Sequence, residues 1–227
     1  MAADIDGRQR LDRSRLAALH DRRIDPLEKG LPAAAGDSSV AEFLATRPRL
    51  STFATPLLVL DSAVIDANIA RMAGWCADRG VDLAPHGKTT MAPTLWERQL
   101  AAGAWGITLA TPWQVRVGLA FGLRRIVLAN ALVDPVGLAE VSRALDADPE
   151  LQVLSWVDSP DTVAAMERVL ADVAPARPLT VLVELGSEGR RTGARGVAAA
   201  PTSTTSSTCS ALSRPVAPAW CCARAAT

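Results

Sequence analysis

The stretch GITLATPWQVRVGLAFGLRRIVLANALVDPVGLAEVSRAL, residues 106–145, contains two copies of one unit. In each copy a short apolar run is followed by a polar residue, a proline and a helical pattern, with Thr111–Pro112 and Asp134–Pro135 at the junctions. A side chain that can cap a helix, placed directly before a proline, marks a helix N-terminus, because the first helical turn tolerates proline. The stretch therefore predicts strands that alternate with helices.

The same unit continues in both directions along the chain. Downstream, the run LQVLSWVDS leads to Ser159–Pro160 and a helix, and LTVLVELG forms a fifth strand. Upstream, VDLAP, residues 81–85, is a predicted strand before a looser junction at Pro93. STFATPLLVLD is a predicted strand before the helix SAVIDANIARMAGWCADRG, which we expect to stop at Gly80.

Unbroken apolar strands that alternate with helices imply a parallel sheet covered by helices. This α/β pattern leaves two architectures open, a doubly wound sheet and a (β/α)8 barrel. The first strand–helix turn carries no G-x-G-x-x-G sequence, which weakens the case for a dinucleotide-binding sheet.

Length and composition limit the function classes. The 227 residues, 49 % of them hydrophobic, suffice for one sizeable domain with a buried core. The formal net charge of zero gives no reason to expect nucleic acid or an anionic membrane as a partner. The chain has no apolar run of about 18 residues and no signal-peptide pattern, so we expect a cytoplasmic protein without a membrane span. The four cysteines match neither a zinc site nor a disulfide framework.

The chain divides into three parts by composition. Residues 1–50 are a predicted N-terminal extension with a short helix before Pro26, and residues 51–200 are the predicted sheet domain. Residues 201–227 form an aberrant tail that lacks Asp, Glu and Lys and is rich in Ser and Thr. The tail is either a low-complexity segment or the product of a frameshift. The second interpretation is favoured, because a shifted frame allows an amphipathic helix, a turn and a strand.

The stretch HGKTT, residues 86–90, places a histidine and a lysine directly after a predicted strand. In parallel α/β folds the active site lies at the carboxyl ends of the strands. A lysine at such an end can form a Schiff base, and His86 would face the same side as Lys88 if the strand continued. The alternatives are a lysine that only extends into water and a histidine with a structural role.

A second candidate site, ELGSEGRRTGAR, covers residues 184–195 after the fifth strand. Its glycines allow tight turns and a close approach of the backbone to a ligand. Its arginines Arg190, Arg191 and Arg195 offer planar donors for phosphate, carboxylate or phenolate oxygens. Such loops commonly have a structural role, so this stretch indicates a functional site only when it is considered together with the lysine motif.

LAPHGKTTMAP resembles the lysine motif of the pyridoxal-phosphate enzymes of the alanine-racemase-like barrel class, fold type III. The resemblance is greatest to the branch with D-serine dehydratase, D-threonine aldolase and bacterial amino acid deaminases. The stretches TPLLVLDSAVIDANIARMAGWC, GAWGITLATPWQ and VELGSEGRRTGAR fit that pattern in the expected order, over roughly residues 50–197.

The resemblance implies a (β/α)8 barrel of the alanine racemase N-terminal type, normally followed by a β-rich domain. Only about five to six strand–helix units are predicted in this chain. No β-rich domain is predicted in it. Such an incomplete barrel would leave sheet edges and apolar helix faces uncovered. The resemblance also implies a homodimer, since members of that family are often dimers with sites at the subunit interface, but the segments that would make that interface are not recognised in this chain.

The resemblance also implies roles for individual residues. Lys88 would hold pyridoxal 5'-phosphate as a Schiff base and act as acid and base at Cα, with His86 beside the cofactor. Arg191 would contact the phenolic oxygen of the cofactor or the substrate carboxylate. No metal is assigned, because no histidine follows His86.

The implied activity is that of a lyase or deaminase acting on a D-amino acid or a β-hydroxy amino acid. Three alternatives stay open. The chain could be an amino acid racemase of the same fold, a non-catalytic truncated product, or a phosphate-binding barrel with unrelated chemistry.

Overall fold

The computed structural model describes residues 9–184, which contain seven α-helices and four β-strands. The elements are α1 (Arg13–Asp21), α2 (Val40–Ala45), α3 (Ser62–Arg79), α4 (Pro93–Ala101), β1 (Ile107–Leu109), α5 (Pro112–Ala120), β2 (Arg125–Leu128), α6 (Pro135–Ala147), β3 (Gln152–Val157), α7 (Pro160–Val173) and β4 (Thr180–Val183). The predicted α/β class is confirmed. The arginine–glycine loop after Glu184 and the aberrant tail lie outside the described residues.

The four strands form one parallel sheet in the order β1-β2-β3-β4. A helix connects each strand to the next, and each strand pairs with the one that precedes it in the chain. A doubly wound sheet reverses its strand order at a switch point, whereas a barrel adds each strand on the same side of the last. The order found over residues 107–183 is the barrel order, and it decides between the two architectures that the sequence left open.

The core lies between the sheet and helices α4 to α7. Trp96 and Leu100 of α4 are fully buried against Ile107 and Leu109 of β1. Burial of each large apolar side chain contributes about 1.5–3 kcal/mol, so this layer holds the first strand–helix units together. The same cluster extends through β2, α6, β3 and α7.

The predicted proline junctions are confirmed at three helix starts. In each case the side chain before the proline accepts a hydrogen bond from the third residue of the helix. The three pairs are Thr111 with the Gln114 N–H at 3.2 Å, Asp134 with the Gly137 N–H at 2.6 Å, and Ser159 with the Thr162 N–H at 3.2 Å. Gly80 ends α3 in the left-handed conformation with φ +58°, as predicted.

The predicted strand in STFATPLLVLD, residues 51–61, is wrong. The segment pairs with no other strand within residues 9–184, and Leu58 is 87 % exposed. A strand needs a neighbour for its backbone groups, and apolar composition does not provide one. Asp61, which the sequence placed at the end of this strand, instead caps α3 by accepting hydrogen bonds from the Ala63 and Val64 N–H groups.

The predicted strand in VDLAP lies where the sequence placed it but has an irregular backbone. The Trp105 N–H donates to the Leu83 carbonyl at 2.8 Å, and the Thr108 N–H donates to the Pro85 carbonyl at 2.8 Å. His86 and Thr108 form a single parallel bridge. Since proline has no N–H, Pro85 cannot complete a regular ladder. The segment is therefore an extended parallel neighbour of β1 that carries the chain to Lys88.

The first described residues close the amino end of the sheet. Leu11 is buried in the main core cluster, and its N–H donates to the Glu97 carboxylate at 2.8 Å. The Asp12 N–H donates to the Phe121 carbonyl at 2.9 Å, and the Gln9 side-chain oxygen accepts from the Arg124 N–H at 3.0 Å. Part of the predicted N-terminal extension thus packs directly on the sheet domain.

One face of α3 is only partly covered. Met72 is 47 % exposed and Trp75 is 46 % exposed. A groove of about 650 Å³ runs between α3, residues 80–86 and the end of α4. No helix within residues 9–184 is long and apolar enough to cross a membrane.

Arg177 connects α6 to the segment before β3. Its guanidinium donates to the carbonyls of Leu145, Asp148 and Leu151. We expect Arg177→Ala to lower the free energy of unfolding by about 2–3 kcal/mol, because three carbonyls lose a charged donor at once. Urea denaturation followed by circular dichroism measures the change. Arg168→Ala, at an exposed position of α7, is the control, and an equal loss in both variants would contradict the assignment.

Candidate active site

The candidate site lies at the edge of the sheet where the parallel strands end. Lys88 follows the extended segment beside β1. Thr111, Asn130 and Asp158 come shortly after β1, β2 and β3. Because parallel strands present their carboxyl ends on one side, Lys88 and these polar residues share one edge of the sheet.

Lys88 is half-buried in a turn formed by residues 86–91, called the lysine turn below. The Thr108 carbonyl accepts hydrogen bonds from the N–H groups of Gly87 at 2.9 Å and Lys88 at 3.1 Å. The Met91 N–H donates to the Gly87 carbonyl at 3.0 Å and closes the turn. The base of the lysine side chain is therefore fixed to β1 by backbone hydrogen bonds.

Gly87 packs so tightly that no side chain fits at its position. A Cβ atom there would lie 2.4 Å from Cγ2 of Ile107 and 2.5 Å from Nε1 of Trp96. The indole N–H of Trp96, itself fully buried, donates to the Gly87 carbonyl at 3.3 Å. Glycine thus lets the lysine turn approach α4 and β1 closely, and Trp96 supports the turn from below.

Gln114 connects the lysine turn to the next strand–helix unit. Its side-chain Nε2 donates to the Lys88 carbonyl at 3.2 Å, and its Oε1 accepts from the Ala110 N–H at 2.8 Å. The sequence analysis missed both Gln114 and Trp96. The available signal for Gln114 was a polar residue with two hydrogen-bonding ends in the first turn of a helix, directly after a predicted strand.

His86 lies two residues before Lys88 and is largely, but not fully, exposed. Partial burial lowers the pKa of its imidazole below the usual value of 6.5, and the positive charge of Lys88 lowers it further. The sequence placed His86 on the same side as Lys88 on the condition that the strand continues, but residues 87–90 form a turn instead. The lowered pKa favours the uncharged imidazole, which can accept or donate a hydrogen bond.

The lowered pKa of His86 sets the direction in which the stability of the fold changes with pH. Between the lowered pKa and about pH 6.5 the unfolded chain binds more protons at this residue than the folded chain, so stability rises with pH through that window. We expect His86→Gln to remove this contribution to the rise of the free energy of unfolding with pH. Urea denaturation at several pH values measures it, with His20→Gln as the control for the other histidine. An NMR titration of His86 in Lys88→Met is expected to give a raised pKa, and an unchanged value would contradict the proximity of the two groups.

Arg191, the third predicted site residue, lies outside the described residues, as do Arg190 and Arg195. Lys88 and His86 both follow the extended segment at this edge of the sheet, and the roles predicted for them and for Arg191 stay predictions. Within residues 9–184, no group of three or more His, Cys, Asp or Glu side chains is arranged to hold a metal ion.

No protein-family model matches the chain. Two curated proteins are similar to it in sequence. A D-threonine aldolase from Arthrobacter sp. is 29 % identical over 136 residues, which make up 60 % of this chain and 35 % of the aldolase. A D-threo-3-hydroxyaspartate dehydratase from Delftia sp. (strain HT23) is 30 % identical over 145 residues, which make up 63 % of this chain and 37 % of the dehydratase.

Solved structures of similar proteins have the same fold. D-threonine aldolase from Filomicrobium marinum superimposes with a TM-score of 0.56 at 24 % identity, over 75 % of this chain and 40 % of the aldolase. A variant of D-threo-3-hydroxyaspartate dehydratase superimposes with a TM-score of 0.58 at 27 % identity, over 67 % of this chain and 38 % of the dehydratase.

The resemblance predicted from the lysine motif is confirmed. Both curated relatives are pyridoxal-phosphate enzymes of fold type III in the D-serine dehydratase-like branch. The chain spans a little over a third of the length of these relatives. The similarity therefore covers only a part of each relative.

Proposed function

We propose that this chain is the lysine-bearing part of a pyridoxal-phosphate-dependent lyase or deaminase that acts on a D-amino acid or β-hydroxy amino acid through a Schiff base on Lys88. The observation that carries the proposal is the position of Lys88, on a turn fixed at the carboxyl edge of a barrel-type sheet. The similar proteins support the substrate class. The names of the two relatives refer to D-threonine and D-threo-3-hydroxyaspartate. Both compounds are D-amino acids with a β-hydroxyl group.

The described residues suit the aldehyde end of this cofactor. Lys88, a half-buried residue, supplies a primary amine, and His86 is the imidazole expected beside the cofactor. When bound, the cofactor would supply the electron sink for a carbanion at Cα. Lys88 would hold the cofactor and act as acid and base at Cα, and His86 would lie beside the cofactor. Arg191 stays the predicted contact of the phenolic oxygen or the substrate carboxylate.

Covalent trapping tests the cofactor site, and the chain is well suited to it. Its sequence contains only two lysines, Lys29 and Lys88, and Lys29 is exposed. The amine adds to the cofactor aldehyde with loss of water, and borohydride reduces the resulting C=N bond to a stable C–N bond. We expect mass spectrometry to find the adduct on Lys88 at cofactor concentrations that leave Lys29 unlabelled. Equal labelling of both lysines would contradict the proposal.

Product analysis tests the reaction class. Aldol cleavage of D-threonine breaks Cα–Cβ and releases glycine and acetaldehyde, whereas dehydration of D-threo-3-hydroxyaspartate ends in a keto acid and ammonia. We expect one of these product pairs from a β-hydroxy D-amino acid. Loss of optical activity without either pair would identify a racemase. A Lys88 adduct without any turnover would identify a cofactor-binding chain that is not catalytic.

A further inference from the structure

We infer that Gln114 is a positioning residue for Lys88, and that it sets the rate at which the lysine reacts with the cofactor. This inference rests on the proposed function, because it concerns the same amine. Gln114 has no assigned role in the sequence pattern, and its side chain does not need to touch the cofactor to act.

The first step of the argument is the way in which Lys88 is held. Its N–H donates to the Thr108 carbonyl at 3.1 Å, and its carbonyl accepts from Nε2 of Gln114 at 3.2 Å. Both polar groups of the Lys88 backbone are thus bound to the neighbouring strand–helix unit. The contact to Thr108 fixes the backbone before the Lys88 Cα, and the contact to Gln114 fixes the backbone after it.

The second step concerns what holds Gln114. Its backbone N–H donates to the Thr111 side chain at 3.2 Å, as part of the cap of α5. Its Oε1 accepts from the Ala110 N–H at 2.8 Å, directly after β1. The amide is therefore oriented by its own helix and by the end of the strand, and in this orientation its Nε2 donates to the Lys88 carbonyl. Because Gln114 is held at both ends in this way, the backbone of Lys88 is fixed relative to the start of α5.

The third step is the reason that this matters for chemistry. A displacement of about 1 Å at a reacting group can cost about a hundredfold in rate, because bond formation needs a near-attack geometry. Without the Gln114 contact, the backbone after Lys88 keeps no side-chain support from α5. We therefore expect the amine to visit the reactive geometry less often, while the residues that bind the rest of the cofactor are unaffected.

The experiment measures the trapping rate on Lys88 in Gln114→Met, which keeps the size of the side chain and loses both hydrogen bonds. Lys29 serves as an internal reference in the same sample. We expect the limiting rate of Lys88 labelling to fall about tenfold, with an unchanged half-saturating cofactor concentration and an unchanged rate at Lys29. Gln152→Leu, an exposed glutamine at the amino end of β3, is the matched control and is expected to label like the wild type.

The two proposals fail in different ways. If Lys88 of the wild-type chain is not labelled, the proposed function fails. If Lys88 is labelled at the same limiting rate in Gln114→Met and the wild type, only the positioning role fails. A rise in the half-saturating concentration together with a loss of thermal stability would also overturn it, because that pattern indicates a purely structural residue. If Gln114→Met does not melt cooperatively, Gln114→Ala replaces it, since alanine is the residue that helices tolerate best.

Discussion

The Lys88→Arg variant is expected to carry no borohydride-stable cofactor adduct and to lose the proposed lyase activity by at least about a thousandfold. Arginine keeps the positive charge and much of the length of the side chain, but its guanidinium does not form a Schiff base under these conditions. The measurements are adduct mapping by mass spectrometry and product formation from a β-hydroxy D-amino acid. Lys29→Arg removes the only other lysine and is expected to change neither.

The fold of the Lys88→Arg variant should survive. The contacts that hold this residue to Thr108 and Gln114 use its backbone atoms, which the substitution leaves in place. We expect a free energy of unfolding within about 1 kcal/mol of the wild type. An adduct that persists at full yield in Lys88→Arg would mean that another amine holds the cofactor, and the site assignment would be wrong.

The Gly87→Ala variant is expected to lose about 3 kcal/mol or more of stability, and to lose Lys88 labelling with it. The added methyl group would lie 2.4 Å from Ile107 and 2.5 Å from the indole nitrogen of Trp96. Both neighbours are fully buried, so neither can move aside without opening the core. The lysine turn must then shift away from α4, which breaks the hydrogen bond from Trp96 and moves the amine.

Gly74→Ala is the matched control for this substitution. Gly74 lies within α3, and a Cβ atom there meets nothing within 4 Å. Because alanine favours the helix by about 1 kcal/mol over glycine, we expect a small gain in stability. Urea denaturation of both variants measures the difference. Equal stability of Gly87→Ala and the wild type would contradict this prediction. It would show that the turn can move to admit a methyl group, so that the close packing at Gly87 does not fix the position of Lys88.

The sequence predicted the parts of this fold that depend on local patterns. The capping residues before Pro112, Pro135 and Pro160 marked helix starts because capping and proline geometry are properties of neighbouring residues. The position of Lys88 could be predicted because it needed only one fact about distant structure, that the sheet is parallel. The family resemblance supplied the barrel.

The contacts that fix the lysine could not be predicted, because they join residues far apart in sequence. Gln114 binds a carbonyl 26 residues earlier, and Trp96 fills the space beside Gly87 from another helix. Nothing in the local pattern shows which carbonyl an amide will reach. The strand prediction for residues 51–61 was wrong for the same reason. A strand requires a partner strand, and its own residues do not show whether one is present.

The contacts at the amino end of the sheet have a consequence for the order of events at the ribosome. Gln9 binds the backbone of Arg124, a partner 115 residues later in the chain. At roughly 5–20 residues per second, that partner is synthesised about 6–23 s after Gln9. Until then the side chain of Leu11 has no completed core to enter. The strand–helix units, which depend on contacts closer in sequence, can assemble first. Residues 9–12 are thus expected to dock after the strand–helix units that follow them in the chain, and their docking completes the amino end of the sheet.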